Sequence, residues 1–299
     1  MHEAKTIEDR RRAFREEQKR FHRYRRLYET LSLPIATVFL MHNKRFHPSY
    51  RLSWRKKFQL AYRMWRNTRN IRTGTSYKAH LAMAVKLFEI PPDEKGVVVE
   101  CGCWQGGSTA NLSLICDLVD RELIVYDSFE GLPVADPNDP FGVPKAAGWF
   151  MGDLATVQSN VGKGGVLSRC TFRKGWFEDT LPHHVEPIVF CFADVDFGKS
   201  IHEVVLNLWP HLSENGYFFI DEYTELDYCA LFYSERFWRE NFDRTPPGLM
   251  GSGNGIGVGQ YFIGPWRQQH WFEAPNSVGY TRKTYSGFWD YYPEDRPPR

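Results

Sequence analysis

The chain has no CxxC pair, no GxGxxG loop, no unbroken apolar run of about 20 residues and no internal repeat. Each absence excludes something. Without CxxC spacing, Cys101, Cys103, Cys116, Cys170, Cys191 and Cys229 do not form a metal-ligand pattern. They read as free thiols packed as small hydrophobes in a reducing compartment. The apolar stretch 31–41 follows a mainly polar segment and is too short to cross a bilayer, so neither a signal peptide nor a membrane span is expected. No recognition module accompanies the basic residues, so nucleic acid is not an expected partner. The missing GxGxxG, with no evident hydride-transfer constellation, disfavours a nicotinamide oxidoreductase.

Acidic residues are scarce at one end. The net charge of the 299 residues is only +2, yet residues 1–72 carry 20 Lys and Arg against 6 Asp and Glu. Such a split suggests that this part faces something anionic, whether a phospholipid surface, a phosphorylated substrate or an acidic partner. Phe14, Phe21, Tyr24 and Leu27 recur at helical intervals within 5–30, and Trp54, Phe58, Leu60, Tyr62 and Trp65 lie among the charges of 51–72. A basic helical arm over 1–74 is expected. It suits peripheral membrane contact, or packing on the core or on a second subunit of a homo-oligomer. The expected location is cytoplasmic, with membrane attachment through the arm left open.

Hydrophobic residues at 42% and charged residues at 25% fit a soluble globular protein. From residue 76 the texture changes to short apolar strands (96–100, 122–126, 170–173, 187–193, 217–221) alternating with helices (76–88, 107–119, 200–212, 225–241). That alternation predicts an α/β fold, Rossmann-like, with a mostly parallel sheet covered by helices on both faces. Right-handed crossovers then set the loops after the strands along one edge, where ligands bind. The loop 133–148, rich in Pro, Asp and Gly, is placed to close over a ligand. The glycines alternating from Gly251 to Gly259 suggest a closely packed strand. Residues 265–299 form an aromatic-rich extension suited to a sugar, a lipid or a dimer interface.

Residues 97–109 read VVVECGCWQGGST. A buried strand ends in Glu100, turns through Gly102 and opens a helix at Gly106, Gly107 and Ser108, whose free N–H groups suit an anionic group. The same pattern also serves a purely structural strand–helix turn. Asp127 ends the next strand in LIVYDSFEGLP, 25 residues after Gly102, where a doubly wound fold sets a carboxylate against ribose hydroxyls. A lone Asp there is otherwise a turn residue. Asp194 closes the fourth strand in VFCFADVDFGKS, and Asp221 and Glu222 close the fifth in YFFIDEY. These three acids can converge on a hard cation such as Mg²⁺, or merely cap helices. An acid at such a strand end can also take the proton of a hydroxyl acceptor held close to it, and Asp194 is the candidate base. His202 and His211 read as structural.

The motifs DSFEGLP (127–133), KGWFEDTLP (174–182), ADVDF–KS (193–200) and DEY (221–223) occur in the order of the TylF/MycF/NovP macrocin O-methyltransferases, which the chain resembles over about 75–264. The resemblance implies a class I methyltransferase fold that uses S-adenosylmethionine, often with Mg²⁺, to methylate sugar hydroxyls. It implies that Glu100, Gly102, Gly106, Gly107 and Ser108 hold the methionine end, that Asp127 and Ser128 hold the ribose, and that Gly175 and Trp176 lie near the adenine. It further implies metal binding by Asp194, Asp221 and Glu222, with Asp194 as base. The final strand of that core falls near 256–263. The chain departs from the family in having Glu222 where a second Asp is usual and Phe197-Gly198-Lys199 where the family's 194–200 motif differs. Lys199 thereby brings a cation toward the acids. The alternatives are a non-sugar or lipid-linked acceptor, and a relative that binds cofactor or partner without turnover.

Overall fold

Along each central strand successive side chains enter opposite apolar layers, and this alternation decides the architecture. The computed structural model describes residues 27, 30–42, 44–134, 147–223, 226–251 and 278–284. The strands are β1 (Val97–Cys101), β2 (Leu123–Asp127), β3 (Cys170–Lys174), β4 (Ile188–Ala193), β5 (Leu212–Ile220), β6 (Met250–Gly251) and β7 (Gly279–Arg282). They form one sheet in the order β3-β2-β1-β4-β5-β7-β6. The first five are mutually parallel, and β7 runs antiparallel to both β5 and β6.

Val98, Val125, Phe190, Phe192 and Phe219 pack into one layer with buried residues of α2 (Trp54–Asn70), α3 (Tyr77–Glu89), α4 (Gly107–Val119) and α5 (Leu154–Gly164). Val99, Cys101, Ile124, Cys191, Ala193, Phe218 and Ile220 enter the other, against α7 (Gly198–Leu208), α8 (Leu226–Leu231) and α9 (Glu235–Phe242). Two short helices, α1 (Leu33–His42) and α6 (Phe177–Thr180), complete the described set. The expected α/β sheet with helices on both faces is therefore present. Its order reverses between β1 and β4, so the crevice at the carboxyl ends of these strands is the natural ligand site.

Several local expectations change. The sequence reading has no helix at Leu154–Gly164, because only Val157 and Val161 mark its buried face; Asp153 caps it by accepting from the Thr156 amide. One helix over 225–241 becomes two, since Ser234 accepts from the Phe237 amide and restarts the chain as α9. The basic arm is not an appendage over its whole length. Leu60, Ala61 and Met64 of α2 are part of the core, and Asn67 donates to Asn111 Oδ1 at 2.9 Å and to the Gly164 carbonyl at 3.0 Å. Gly279–Arg282, which the sequence reading leaves in an extension, forms β7 in the centre of the antiparallel edge. The proposed strand at 256–263, most of the loop 133–148 and the helix within 5–30 lie outside the described residues.

Candidate active site

The backbone at the end of β1 turns because Gly102 adopts φ +83°, and nothing larger fits: an added Cβ would stand 1.9 Å from the Asp194 carbonyl oxygen. Gly102 N–H donates to the Tyr126 carbonyl, and Asp194 N–H donates to the Cys101 carbonyl. The turn after β1 is thus locked between the ends of β2 and β4. Gly106, at φ +80°, precedes the first residue of α4, and Gly107 opens it. Gly107 does not face the crevice alone; an added Cβ would meet Thr73 Cβ at 2.7 Å, so its small size also admits the segment before α3. Ser108 and Thr109 follow, both buried.

Glu100 lies beneath this turn, fully buried, and neither carboxylate oxygen has a hydrogen-bond partner. Burial pushes its pKa up to about 7, against which the nearby Ser108 and Thr109 hydroxyls act only in part. An orphaned buried acid at the mouth of a glycine turn fits a cationic group of a ligand.

Asp127 is treated differently. Its Oδ2 accepts from Cys103 N–H at 2.7 Å and its Oδ1 from Phe129 N–H at 2.6 Å. Burial raises its pKa, and these amides oppose the rise. The carboxylate therefore ties the β1 turn to the β2 turn, while each oxygen keeps a further lone pair for a ligand hydroxyl. Ser128 turns inward: its hydroxyl donates to the Gly131 carbonyl and accepts from Glu130 N–H, both at 3.1 Å. Gly175 N–H donates to the Asp127 carbonyl, and Trp176 starts α6 beside it, so both lie at the β2–β3 edge of the crevice.

At the ends of β4 and β5 the three expected acids meet. Asp194, Asp221 and Glu222 each offer an oxygen within 4.8 Å of the others. Parallel pairing causes this, since Asp221 N–H continues the ladder to the Ala193 carbonyl at 3.0 Å. Glu222 is buried; its Oε1 accepts from Asp196 N–H at 3.1 Å, and its Oε2 has no partner. Desolvation and then the charge of Asp221 push the Asp194 pKa well above the usual carboxylate range. Desolvation followed by Asp194 does the same to Glu222. Three crowded oxygens, one of them orphaned, fit a hard divalent cation. The extra methylene of Glu222 does not stop it from reaching the cluster.

Thr75 is absent from the sequence reading. Buried just before α3, it donates its hydroxyl toward Asp221 Oδ1 at 3.2 Å and Asp194 Oδ2 at 3.4 Å. Its only sequence signal is a hydroxyl next to the N-cap Ser76, which does not reveal a partner 119 residues away. Lys199 corrects the opposite expectation. On the exposed side of α7 it pairs with Glu203 at 3.6 Å and Glu178 at 3.8 Å, away from the acid cluster, because i,i+4 spacing puts Glu203 beside it. His202 packs on Phe237 and His211 on His184, as structural residues do.

The chain is similar to several known proteins. A mycinamicin III 3''-O-methyltransferase of Micromonospora griseorubida is 32% identical over 140 residues, 43% of this chain and 55% of that protein. A Streptomyces olivaceus 4'-O-methyltransferase, named for an 8-demethyl-8-(2,3-dimethoxy-alpha-L-rhamnosyl)-tetracenomycin-C, is 32% identical over 144 residues, 45% and 55% of the two chains. The chain thus spans little more than half the length of these relatives. The solved structure of the O-methyltransferase NovP superposes with a TM-score of 0.55 at 19% identity, covering 86% of this chain and 98% of that one, and so shares its fold. The macrocin O-methyltransferase (TylF) profile matches residues 40–244, which takes in α2 as well as every candidate site residue. That match takes in more than half of the chain, and the chain belongs to the TylF family of macrocin O-methyltransferases.

Proposed function

We propose that this chain is an S-adenosylmethionine-dependent O-methyltransferase acting on a hydroxyl of a sugar or glycosylated metabolite with the help of a divalent cation. The observation that carries the reading is the contact between the glycine turn and the acid cluster. Gly102 lies directly against the Asp194 backbone, so a ligand cradled at the turn sits beside acids able to take a proton. The relatives named for glycoside methylation support a sugar acceptor.

S-adenosylmethionine supplies an electrophilic methyl on its sulfonium. Glu100 answers the cationic amino group of its methionine end, and the first turn of α4, from Gly106 to Ser108, presents N–H groups to the carboxylate. Asp127 offers its remaining lone pairs to the ribose hydroxyls, with Ser128 supporting that loop through its own backbone bonds. Gly175 and Trp176 border the adenine side. Asp194 then stands as the base for the acceptor hydroxyl, at the acid cluster beside the glycine turn. Asp194, Asp221 and Glu222 would hold a divalent cation such as Mg²⁺, which would supply Lewis acidity toward the acceptor hydroxyl. It would also offset the mutual repulsion of the three acids.

Calorimetry with S-adenosylhomocysteine and with NAD tests the cofactor class. Binding of the former alone is expected, and binding of NAD alone overturns the reading. A mass-spectrometric screen across glycosides then tests the acceptor. Methylation confined to non-sugar hydroxyls would move the substrate class, and intact cofactor binding without any turnover would mark a non-catalytic relative.

A further inference from the structure

We infer that the outer face of α2 and the adjoining α1 form a docking surface for an anionic lipid bilayer. The inference is independent of the methyl-transfer reading and starts from charge. Residues 30–88 contain 12 Lys and Arg and not one Asp or Glu. Such a stretch repels cationic partners and gathers anionic ones.

The structure sorts these residues by face. At 100° per residue, Leu60, Ala61, Met64 and Asn67 of α2 share one side and are buried in the core. Trp54, Phe58 and Tyr62 fall on the opposite side at i,i+4 spacing and are 64%, 43% and 43% exposed. Arg55 and Arg66 are exposed on this same side. The Trp54 and Phe58 rings stack at 5.7 Å with planes 4° apart, which holds the two apolar side chains together on this face. Beside α2 packs α1, LPIATVFLMH, which has no Asp, Glu, Lys or Arg and leaves Ile35 and Val38 about half exposed (49% and 47%).

A globular protein has no internal use for an exposed Trp–Phe–Tyr stripe flanked by arginines. An interfacial helix does: its aromatic rings enter the headgroup boundary while its cations meet lipid phosphates. The surface is also rigid, because the buried side of α2 is anchored through Asn67 to α4 and α5. No helix among the described residues is long and apolar enough to cross a membrane, so contact through this face would be attachment alone. The chain leaving α2 runs through Thr73, which touches Gly107, to Thr75 at the acid cluster. Docking would therefore hold the candidate site at a fixed distance from the bilayer.

The test is co-sedimentation of the full chain with vesicles. Binding to mixed phosphatidylglycerol–phosphatidylcholine vesicles, weak binding to phosphatidylcholine alone and release by salt are expected. Two solvent-face variants should each weaken partition by about tenfold or more while leaving thermal unfolding unchanged: Trp54→Ala/Phe58→Ala/Tyr62→Ala, and Arg55→Glu/Arg66→Glu. The idea is overturned by no partition onto anionic vesicles, or by variants that bind as wild type does. It is equally overturned if light scattering shows that these substitutions split an oligomer that never binds vesicles, or if duplex DNA is bound and vesicles are not.

Discussion

Glu100 and Asp127 stand near the ends of neighbouring parallel strands, yet the chain braces one carboxylate with two backbone amides and gives the other none. Asp127 receives two backbone amides and works as a bracket between two turns. Glu100 and the Oε2 of Glu222 are buried without partners. A folded chain tolerates an orphaned buried acid only where other energy offsets it, so Glu100 suits a cationic ligand group, whereas the braced Asp127 ties two turns together and keeps lone pairs for a ligand. The acid cluster shows both kinds together, since Glu222 Oε1 accepts from the Asp196 amide while its Oε2 is buried without a hydrogen-bond partner.

The sharpest way to break this comparison is at Asp194. Asp194→Ala should lower turnover by about 10²–10⁴-fold, because it would remove the proposed proton acceptor and one proposed cation ligand. S-adenosylhomocysteine affinity measured by calorimetry should hardly change, since the glycine turn contacts only the Asp194 backbone. Full activity in this variant would remove its assigned role.

The next effect is in pH. Folding raises the Glu100 pKa from 4.5 to about 7, so the folded protein keeps a proton that the unfolded chain gives up. Its contribution is fully present below about pH 4.5 and is lost as pH rises through about 7, an effect on the order of 3 kcal/mol. Denaturant midpoints for the ligand-free protein should fall over that window, and Glu100→Gln should flatten the fall. An unchanged slope in Glu100→Gln would show that the acid is already compensated.

The smallest effect separates bracket from orphan. Asp127→Asn replaces an acceptor facing two amides with one oxygen and one donor, at a cost of about 1–3 kcal/mol in urea unfolding. Glu222→Gln keeps an oxygen for Asp196 and removes a repelled charge, so it should be close to neutral without metal and should abolish stabilisation by Mg²⁺. Equal costs for the two variants would erase the distinction.

Much of the site was legible because strand ends are legible. An apolar run of known length fixes where Glu100, Asp127, Asp194 and Asp221 emerge, and parallel pairing then brings consecutive emergences to one edge. The glycine turn was legible for a related reason: only glycine accepts φ +83° with a carbonyl so close. Thr75 was not, since a single hydroxyl carries no period and its partners lie just past the ends of β4 and β5. Lys199 misled because proximity in sequence to Asp194 and Asp196 says nothing about the direction of a helical side chain. The helix at Leu154–Gly164 escaped because two buried valines are a weak periodic signal.

By itself, then, the order of apolar and polar residues determined the alternating strands and helices and the identity of the acids and glycines, since local sterics and side-chain period act over a few residues. Only the tertiary structure decided which acids would be bracketed and which left open. It also decided that α2 belongs to the core on one side and to solvent on the other, and that a strand near residue 280 enters the sheet between β5 and β6. Those outcomes depend on which groups arrive opposite one another after long-range pairing, and no local pattern records that.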